Sequence, residues 1–369
     1  MPKSNPRLTS LQTNEFLNGA KVETRVDAKN VEHSCFAAAT AGVENGVFYH
    51  DPVMLKQCLE GLRLESGSEL NKSGEILADG TFVDCTLGGG GHSYAIATRL
   101  SAAGTLHAFD RDDDAVKFAT KRLAGVAPQF IVHPVPFSEL GNEISADAVD
   151  GVLYDLGISS HQVDDSSRGF TFVGNNPLDL RMDRREEVSA QEWLRAVSAD
   201  DLAEALRKNA DMDRAFKLAT RIIEIAAETA REGRDILPSD IKVAVEAVFP
   251  DKRRDANSLM ARVFQAVRME VNGELRQIET SIRSAVDCLK VGGRLVVMSY
   301  HSVEDRCVKD VCAEFEKACI CPEHLPVCMC GGDHQRLKKV NRKPILPSDN
   351  EVAVNSRARS AKLRVYERV

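Results

Sequence analysis

Phe82-Val83-Asp84-Cys85-Thr86-Leu87-Gly88-Gly89-Gly90-Gly91-His92-Ser93 is the stretch whose reading decides the fold. A short apolar strand runs into an acid and then into four consecutive glycines. A helix-compatible segment follows, Tyr94-Ala95-Ile96-Ala97-Thr98-Arg99-Leu100. Strand, glycine turn and helix make the first half of a βαβ nucleotide-binding unit. Glycine permits positive φ and carries no Cβ, so a ligand can lie directly on the backbone. Thr105-Leu106-His107-Ala108-Phe109 reads as the second strand and ends at Asp110, 26 residues beyond Asp84. That is close to the spacing at which an acid at the tip of the second strand accepts hydrogen bonds from a ribose diol. The expected ligand carries adenosine.

The glycine pattern separates adenosine cofactors. A dinucleotide site uses G-x-G-x-x-G and holds a pyrophosphate on the helix N-terminus. Here an acid stands immediately before clustered glycines. A carboxylate repels a pyrophosphate and attracts a sulfonium or an amino group. S-adenosylmethionine is therefore favoured over a nicotinamide dinucleotide.

Further along, the alternation continues with a helix over Asp113–Leu123, a strand over Gln129–Val135, and Pro136-Phe137-Ser138. Val149–Tyr154 reads as a fourth strand ending at Asp155. From Ser189 to about Val248 the period becomes helical, with Trp193, Leu194, Val197, Leu202, Leu206, Phe216, Leu218 and Ile222 at helical spacing. Strand character returns at Leu289–Ser299, followed by Tyr300-His301-Ser302, and Ser302 with Asp305 suggests a capped helix start. This is an α/β chain, a mostly parallel Rossmann-like sheet with an all-helical insertion. Asp84, Asp110, Phe137, Asp155 and His301 fall at strand ends, where open α/β sheets bind ligands, so one crevice is expected among them.

Composition narrows the partners. Lys+Arg 48 against Asp+Glu 55 gives a net charge of −7, which excludes indiscriminate nucleic-acid binding over the whole surface. Residues 335–369 nevertheless hold ten Lys/Arg and three Asp/Glu, a net of +7, readable as a solvated surface or as a phosphate contact for Arg336, Lys338 and Lys339. No apolar run approaches the roughly 20 residues of a membrane span, and the N-terminus has no apolar signal core, so a cytoplasmic protein without a membrane partner is expected. Six of the ten cysteines (Cys35, Cys58, Cys85, Cys288, Cys307 and Cys312) are scattered and read as small buried hydrophobes. The other four cluster as Cys319-Ile320-Cys321 and Cys328-Met329-Cys330, with His324 and His334 nearby. Four thiolates in twelve residues can close a structural zinc site; a reduced, exposed loop is the other reading.

Several segments, in order, resemble the bacterial ribosomal small-subunit RNA methyltransferases that act on the exocyclic N4 amine of a cytidine. They are Tyr49-His50-Asp51-Pro52-Val53, Asp84 through Ser93, Phe109-Asp110-Arg111-Asp112, Pro136-Phe137-Ser138 and Asp155 through Asp165. Arg168-Gly169-Phe170-Thr171-Phe172, Pro177 through Asp183, Phe264 through Arg268, Ser299 through Arg306 and Arg357-Ala358-Arg359-Ser360 follow. The match departs from the family pattern at Gly89 and His161, where Arg or Lys and Pro are usual. The resemblance implies a class I S-adenosylmethionine-dependent methyltransferase and a target in the decoding region of small-subunit RNA. The partner would be that RNA or the assembled subunit, with a homodimer as a further candidate. Carried over, Gly90, Gly91 and His92 form the cofactor turn, Asp110 holds the ribose, Phe137 lies beside the adenine, and Asp155 and Gln162 complete the pocket. Asp155 and His301 are the catalytic candidates, and Tyr300, Phe170 and Phe172 are candidates to stack on the flipped base. The expected divisions are a loosely docked extension over 1–48, a first core part over 49–160, the insertion over 161–262, and a second core part over 263–369. A nicotinamide-dependent oxidoreductase, a non-catalytic RNA-binding module and a DNA amino-methyltransferase are the rival readings; the chain lacks the Pro-Pro-aromatic element of the last.

Overall fold

The computed structural model describes residues 52–65, 78–172, 174–322 and 327–369. The extension over 1–48 with Cys35, the Tyr49-His50-Asp51 segment and His324 lie outside them. The elements in chain order begin with α1 (Leu55–Gly61), β1 (Thr81–Asp84), α2 (Gly91–Ala97), β2 (Thr105–Phe109), α3 (Asp113–Arg122), β3 (Gln129–His133), α4 (Leu140–Glu143) and β4 (Val149–Asp155). Then come α5 (Ser160–Asp164), α6 (Ala190–Ala196), α7 (Ala199–Ala210), α8 (Ala215–Arg231), α9 (Pro238–Val248), α10 (Ala256–Val271) and α11 (Glu274–Cys288). The chain closes with β5 (Leu289–Ser299), α12 (Ser302–Phe315), β6 (Leu337–Lys339), α13 (Asp349–Val354) and β7 (Lys362–Arg368).

Among the described residues, seven strands lie in the order β3-β2-β1-β4-β5-β7-β6. β1 to β5 pair in parallel, while β7 runs against both β5 and β6. This is the class I methyltransferase sheet. Alternate side chains feed two cores. Phe82, Leu106, Val296 and Met298 pack on one face, and Val83, Val152, Leu295 and Val297 on the other. The chain winds outward from β1 to β3, then returns to β4 beside β1. That reversal opens a crevice at the carboxyl ends of β1 and β4.

Helices α6 to α10 surround a third core. On α7, Leu202, Ala203, Leu206 and Ala210 face Leu218, Ile222 and Ile225 of α8, one stripe per helix at helical spacing. Each fully buried Leu or Ile there contributes about 1.5–3 kcal/mol. Phe216 departs from the expected stripe and stands 52% exposed, one position off the buried face. The short helix α6 starts where Ser189 and Glu192 exchange hydrogen bonds in a capping box. Phe170 is buried in the same core and Phe172 packs edge-on to Phe264 with ring centroids 5.9 Å apart. Phe170 is committed to packing and is unavailable to a base, whereas Phe172 is half-buried.

The segment after β5 also corrects the sequence reading. Helix α12 is not capped by Ser302 and Asp305. The Glu304 carboxylate accepts the backbone N–H groups of Tyr300 and His301, both at 3.1 Å, and Asp305 pairs with Arg364 at 2.6 Å. Strand β7 is a further element absent from the expectation, although Leu363 and Val365 alternate with charged residues and are buried. Among the described residues no helix is long and apolar enough to cross a membrane.

Candidate active site

The crevice is a cavity of about 490 Å³ lined by the β1–α2 turn, the tips of β2 and β4, the segment after β5, and the stretch before β7. Gly91, His92, Asp110, Phe137, Asp155, Gln162 and His301 all lie on its wall. Gly90 does not. It caps α2 with a left-handed φ of 72°, a conformation that favours glycine, and the turn it makes presents Gly88 and Gly89 to the cavity instead. At Gly91 a Cβ would meet the Pro52 ring at 2.5 Å, so this approach of α2 to the chain also requires glycine.

Asp84 is a second correction. It is fully buried behind the wall, where its carboxylate accepts the Ser93 hydroxyl at 2.6 Å and the Thr86 N–H at 3.0 Å. Burial raises its pKa against those bonds. Its work is to tie the end of β1 to α2 and to the turn, and it does not face a ligand.

Asp110 sits below the glycine turn and accepts the N–H groups of Gly88 at 2.8 Å and Asp112 at 2.9 Å. Burial pushes its carboxyl up to about 6 despite these two donors. Asp112 is itself spent on structure. It caps α3 through the Asp114 N–H, and its Oδ2 accepts the Gln162 amide at 3.0 Å and Arg168 at 2.8 Å. Arg168 is 1% exposed and also donates to the Met182 carbonyl at 2.8 Å. Gln162 is thereby fixed on both sides, since its Oε1 accepts the Ser159 N–H at 3.1 Å.

At the tip of β4, Asp155 is held from two directions. Its backbone N–H donates to Thr86 Oγ1 at 2.7 Å, and its Oδ1 accepts the Tyr300 hydroxyl at 2.8 Å. Burial, then the neighbouring Asp155 charge, keeps the Tyr300 phenol protonated far above its ordinary range. The other carboxylate oxygen lies 3.5 Å from His92 Nε2. His92 is 6% exposed and neither of its ring nitrogens makes a hydrogen bond. Burial pulls its pKa down, but the Asp155 carboxylate outweighs that and leaves it raised. His301 behaves oppositely: burial and the Arg268 charge lower it to about 4, so the ring is neutral near pH 7. Arg268 in turn is buried in a bidentate pair with Glu274, at 2.7 and 3.0 Å. The Tyr300–Asp155 contact is the part of the site that sequence spacing missed, because 145 residues separate its two halves.

Elsewhere, Arg336, Lys338 and Lys339 are paired with Asp287, Glu367 and Glu316 at 2.5–2.6 Å. Each has an acidic partner within the chain, with Glu367 shared among Lys338, Arg63 and Arg294. Arg357 and Ser360 do reach the cavity wall, with exposed Arg359 between them. The four clustered cysteines converge apart from this cavity, with Sγ atoms all within 4.8 Å of one another.

Residues 47–369 match the family described as the MraW methylase family. A protein called ribosomal RNA small subunit methyltransferase H from Clostridioides difficile is 38% identical over 326 residues, 87% of this chain and 99% of that protein. Its namesake from Finegoldia magna is 37% identical over 328 residues, 87% and 99% of the two chains. The one from Fusobacterium nucleatum is 36% identical over 324 residues, 87% and 97%.

Proposed function

Since the chain belongs to the MraW methylase family, we propose that it transfers a methyl group from S-adenosylmethionine to the N4 amine of a cytidine in small-subunit ribosomal RNA, in the decoding region. The observation that carries the proposal is one cavity holding an acid below the glycine turn, Asp110, and a clamped acid at the tip of β4, Asp155. A cavity of about 490 Å³ suits a nucleoside joined to an amino acid. The residues fit such a ligand: glycines where backbone must approach, an acid at the tip of β2, and a buried histidine with two unsatisfied nitrogens.

In this reading Gly90 shapes the turn, Gly91 and His92 open α2 beneath the ligand, and Asp110 accepts the ribose hydroxyls. Phe137 flanks the adenine, and Gln162 closes the far wall. When bound, S-adenosylmethionine supplies a methyl group already activated by a sulfonium. Strong base catalysis is then unnecessary, and placement dominates. Asp155 uses Oδ1 for Tyr300 and keeps Oδ2 for a hydrogen of the amine, which aims the nitrogen lone pair and receives the proton released on transfer. The neutral His301 ring can hydrogen-bond the base edge. Arg359, exposed beside Arg357 and Ser360, is placed to meet a phosphate. The helical segment 161–262 would receive the RNA. A structural ion at the four cysteines would lie outside this chemistry.

The test is a titration of the purified chain with S-adenosylmethionine and with a nicotinamide dinucleotide, followed by transfer of labelled methyl to small-subunit particles lacking the modification. Binding of the methyl donor with label in the RNA supports the reading. Binding of the dinucleotide alone overturns it in favour of an oxidoreductase.

A further inference from the structure

Between the end of α12 at Phe315 and the start of β6 at Leu337, the described residues form no helix or strand and none of them is buried. Ile320, Val327 and Met329 stand 61%, 68% and 79% exposed. Apolar burial therefore contributes nothing to ordering the described residues of this segment, and irregular connections of such length need another source of order.

Four thiols meet there. Cys319 Sγ lies 3.5 Å from Cys328 Sγ and 3.7 Å from Cys330 Sγ, and the last two are 3.5 Å apart. Cys321 Sγ lies within 4.8 Å of all three. These separations are far beyond a disulfide bond of about 2.05 Å. Four sulfurs placed about 2.3 Å from a zinc ion have tetrahedral edges of about 3.8 Å, which is close to what is seen. Residues two apart in extended backbone face the same side, so each C-x-C pair can offer both sulfurs from one limb of the segment. Backbone bonds hold the limbs together at their base, His334 N–H to the Ala318 carbonyl at 3.0 Å and Arg336 N–H to the Phe315 carbonyl at 2.8 Å. The Met329 N–H donates to Cys321 Sγ at 3.2 Å, which ties the second limb to the first.

We propose that Cys319, Cys321, Cys328 and Cys330 bind one zinc ion in a closed, tetrahedral, all-thiolate site that orders the connection from α12 to β6. Four protein ligands leave no position for water or substrate, so the ion is structural. Strand register places it away from the cavity. Leu337 lies opposite Arg368, and Glu367 lies opposite Arg294 early in β5, whereas the cavity is built at the ends of β1, β2, β4 and β5. The zinc site does not depend on the methyltransferase reading, and the two can fail separately.

The full chain, purified under reducing conditions without chelator, should contain about one equivalent of zinc by elemental analysis. Cys319→Ser and Cys328→Ser should each lose the metal while keeping their affinity for S-adenosylmethionine. Cobalt added to metal-free wild type should give sulfur-to-metal charge transfer and a tetrahedral ligand-field spectrum, a readout that needs no variant to fold. Chelation should speed proteolysis between Phe315 and Leu337 by about tenfold or more. Metal-free protein without a tetrahedral cobalt spectrum overturns the proposal. So does bound iron in place of zinc, or an unreduced intact mass that lacks the four thiol hydrogens.

Discussion

Tyr300→Phe removes one oxygen from the site and leaves the ring in place. The lost hydroxyl donates to Asp155 Oδ1 at 2.8 Å. A hydrogen bond to a charged group contributes about 1.5–3 kcal/mol. The Asp155 side chain is 26% exposed, so water can replace part of the loss and the lower end applies, about 1.5 kcal/mol or tenfold. The carboxylate would be free to turn toward His92, whose Nε2 already lies 3.5 Å from Oδ2. Single-turnover methyl transfer should therefore slow by about tenfold, because a misplaced acceptor misaims the amine. Donor affinity should change less than about twofold, and the melting temperature should hold within a few degrees for a small surface-accessible loss. An unchanged single-turnover rate would refute the clamp. An equal loss in donor affinity would refute it too, since Tyr300 would then serve the cofactor and not the acceptor.

Asp110 gives a pH prediction with two opposite signs. Its folded carboxyl is raised to about 6, so protonation favours the donor-free fold, and that part of stability is lost as pH rises through 6. Donor binding needs the ionised acceptor, so affinity should rise over the same interval and level off above it; thermal scans from pH 5 to 7 with and without donor read both, and Asp110→Asn should flatten both. Arg168→Ala leaves buried Asp112 without its cationic partner and removes the bond to the Met182 carbonyl, at a cost of about 3–5 kcal/mol in denaturant unfolding; a loss below 1 kcal/mol would contradict the buried pair's importance. Gly91→Ala drives a methyl into Pro52, and overpacking of this kind costs about 1–3 kcal/mol. Calorimetry should find weaker donor binding, and unchanged affinity with unchanged stability would show that the turn can yield.

Much of this arrangement was legible because short-range grammar carried it. The glycine run, the apolar strands that end in Asp110 and Asp155, and the return of a β-branched strand at Leu289–Ser299 fix the order of sheet elements and the end at which a ligand binds. Side-chain direction was not legible. Asp84 occupies the strand end that spacing picked out, yet it points into the junction of β1 and α2, where Ser93 and Thr86 satisfy it. Charge hid β7: Lys362, Arg364 and Arg368 read as a basic tail, while the alternation of Leu363 and Val365 carried the strand. The same tail looked free to bind phosphate because Asp287 and Glu316, the partners of Arg336 and Lys339, come from other parts of the fold. Phe170 and Phe172 both read as stacking rings from sequence position, and packing buries the first while leaving the second half-buried.

The central claim concerns one atom on one base. Small-subunit RNA from cells lacking this chain, digested to nucleosides and analysed by mass spectrometry, measures it most directly when the RNA is first incubated in its particle with the purified protein and S-adenosylmethionine. The account predicts that N4-methylcytidine appears in a decoding-region fragment with the wild-type chain. With Asp155→Ala it should form at least a hundredfold more slowly, the scale of lost positioning. A methyl group on a different atom or base, or RNA left unmodified by a chain that binds the donor, would contradict it.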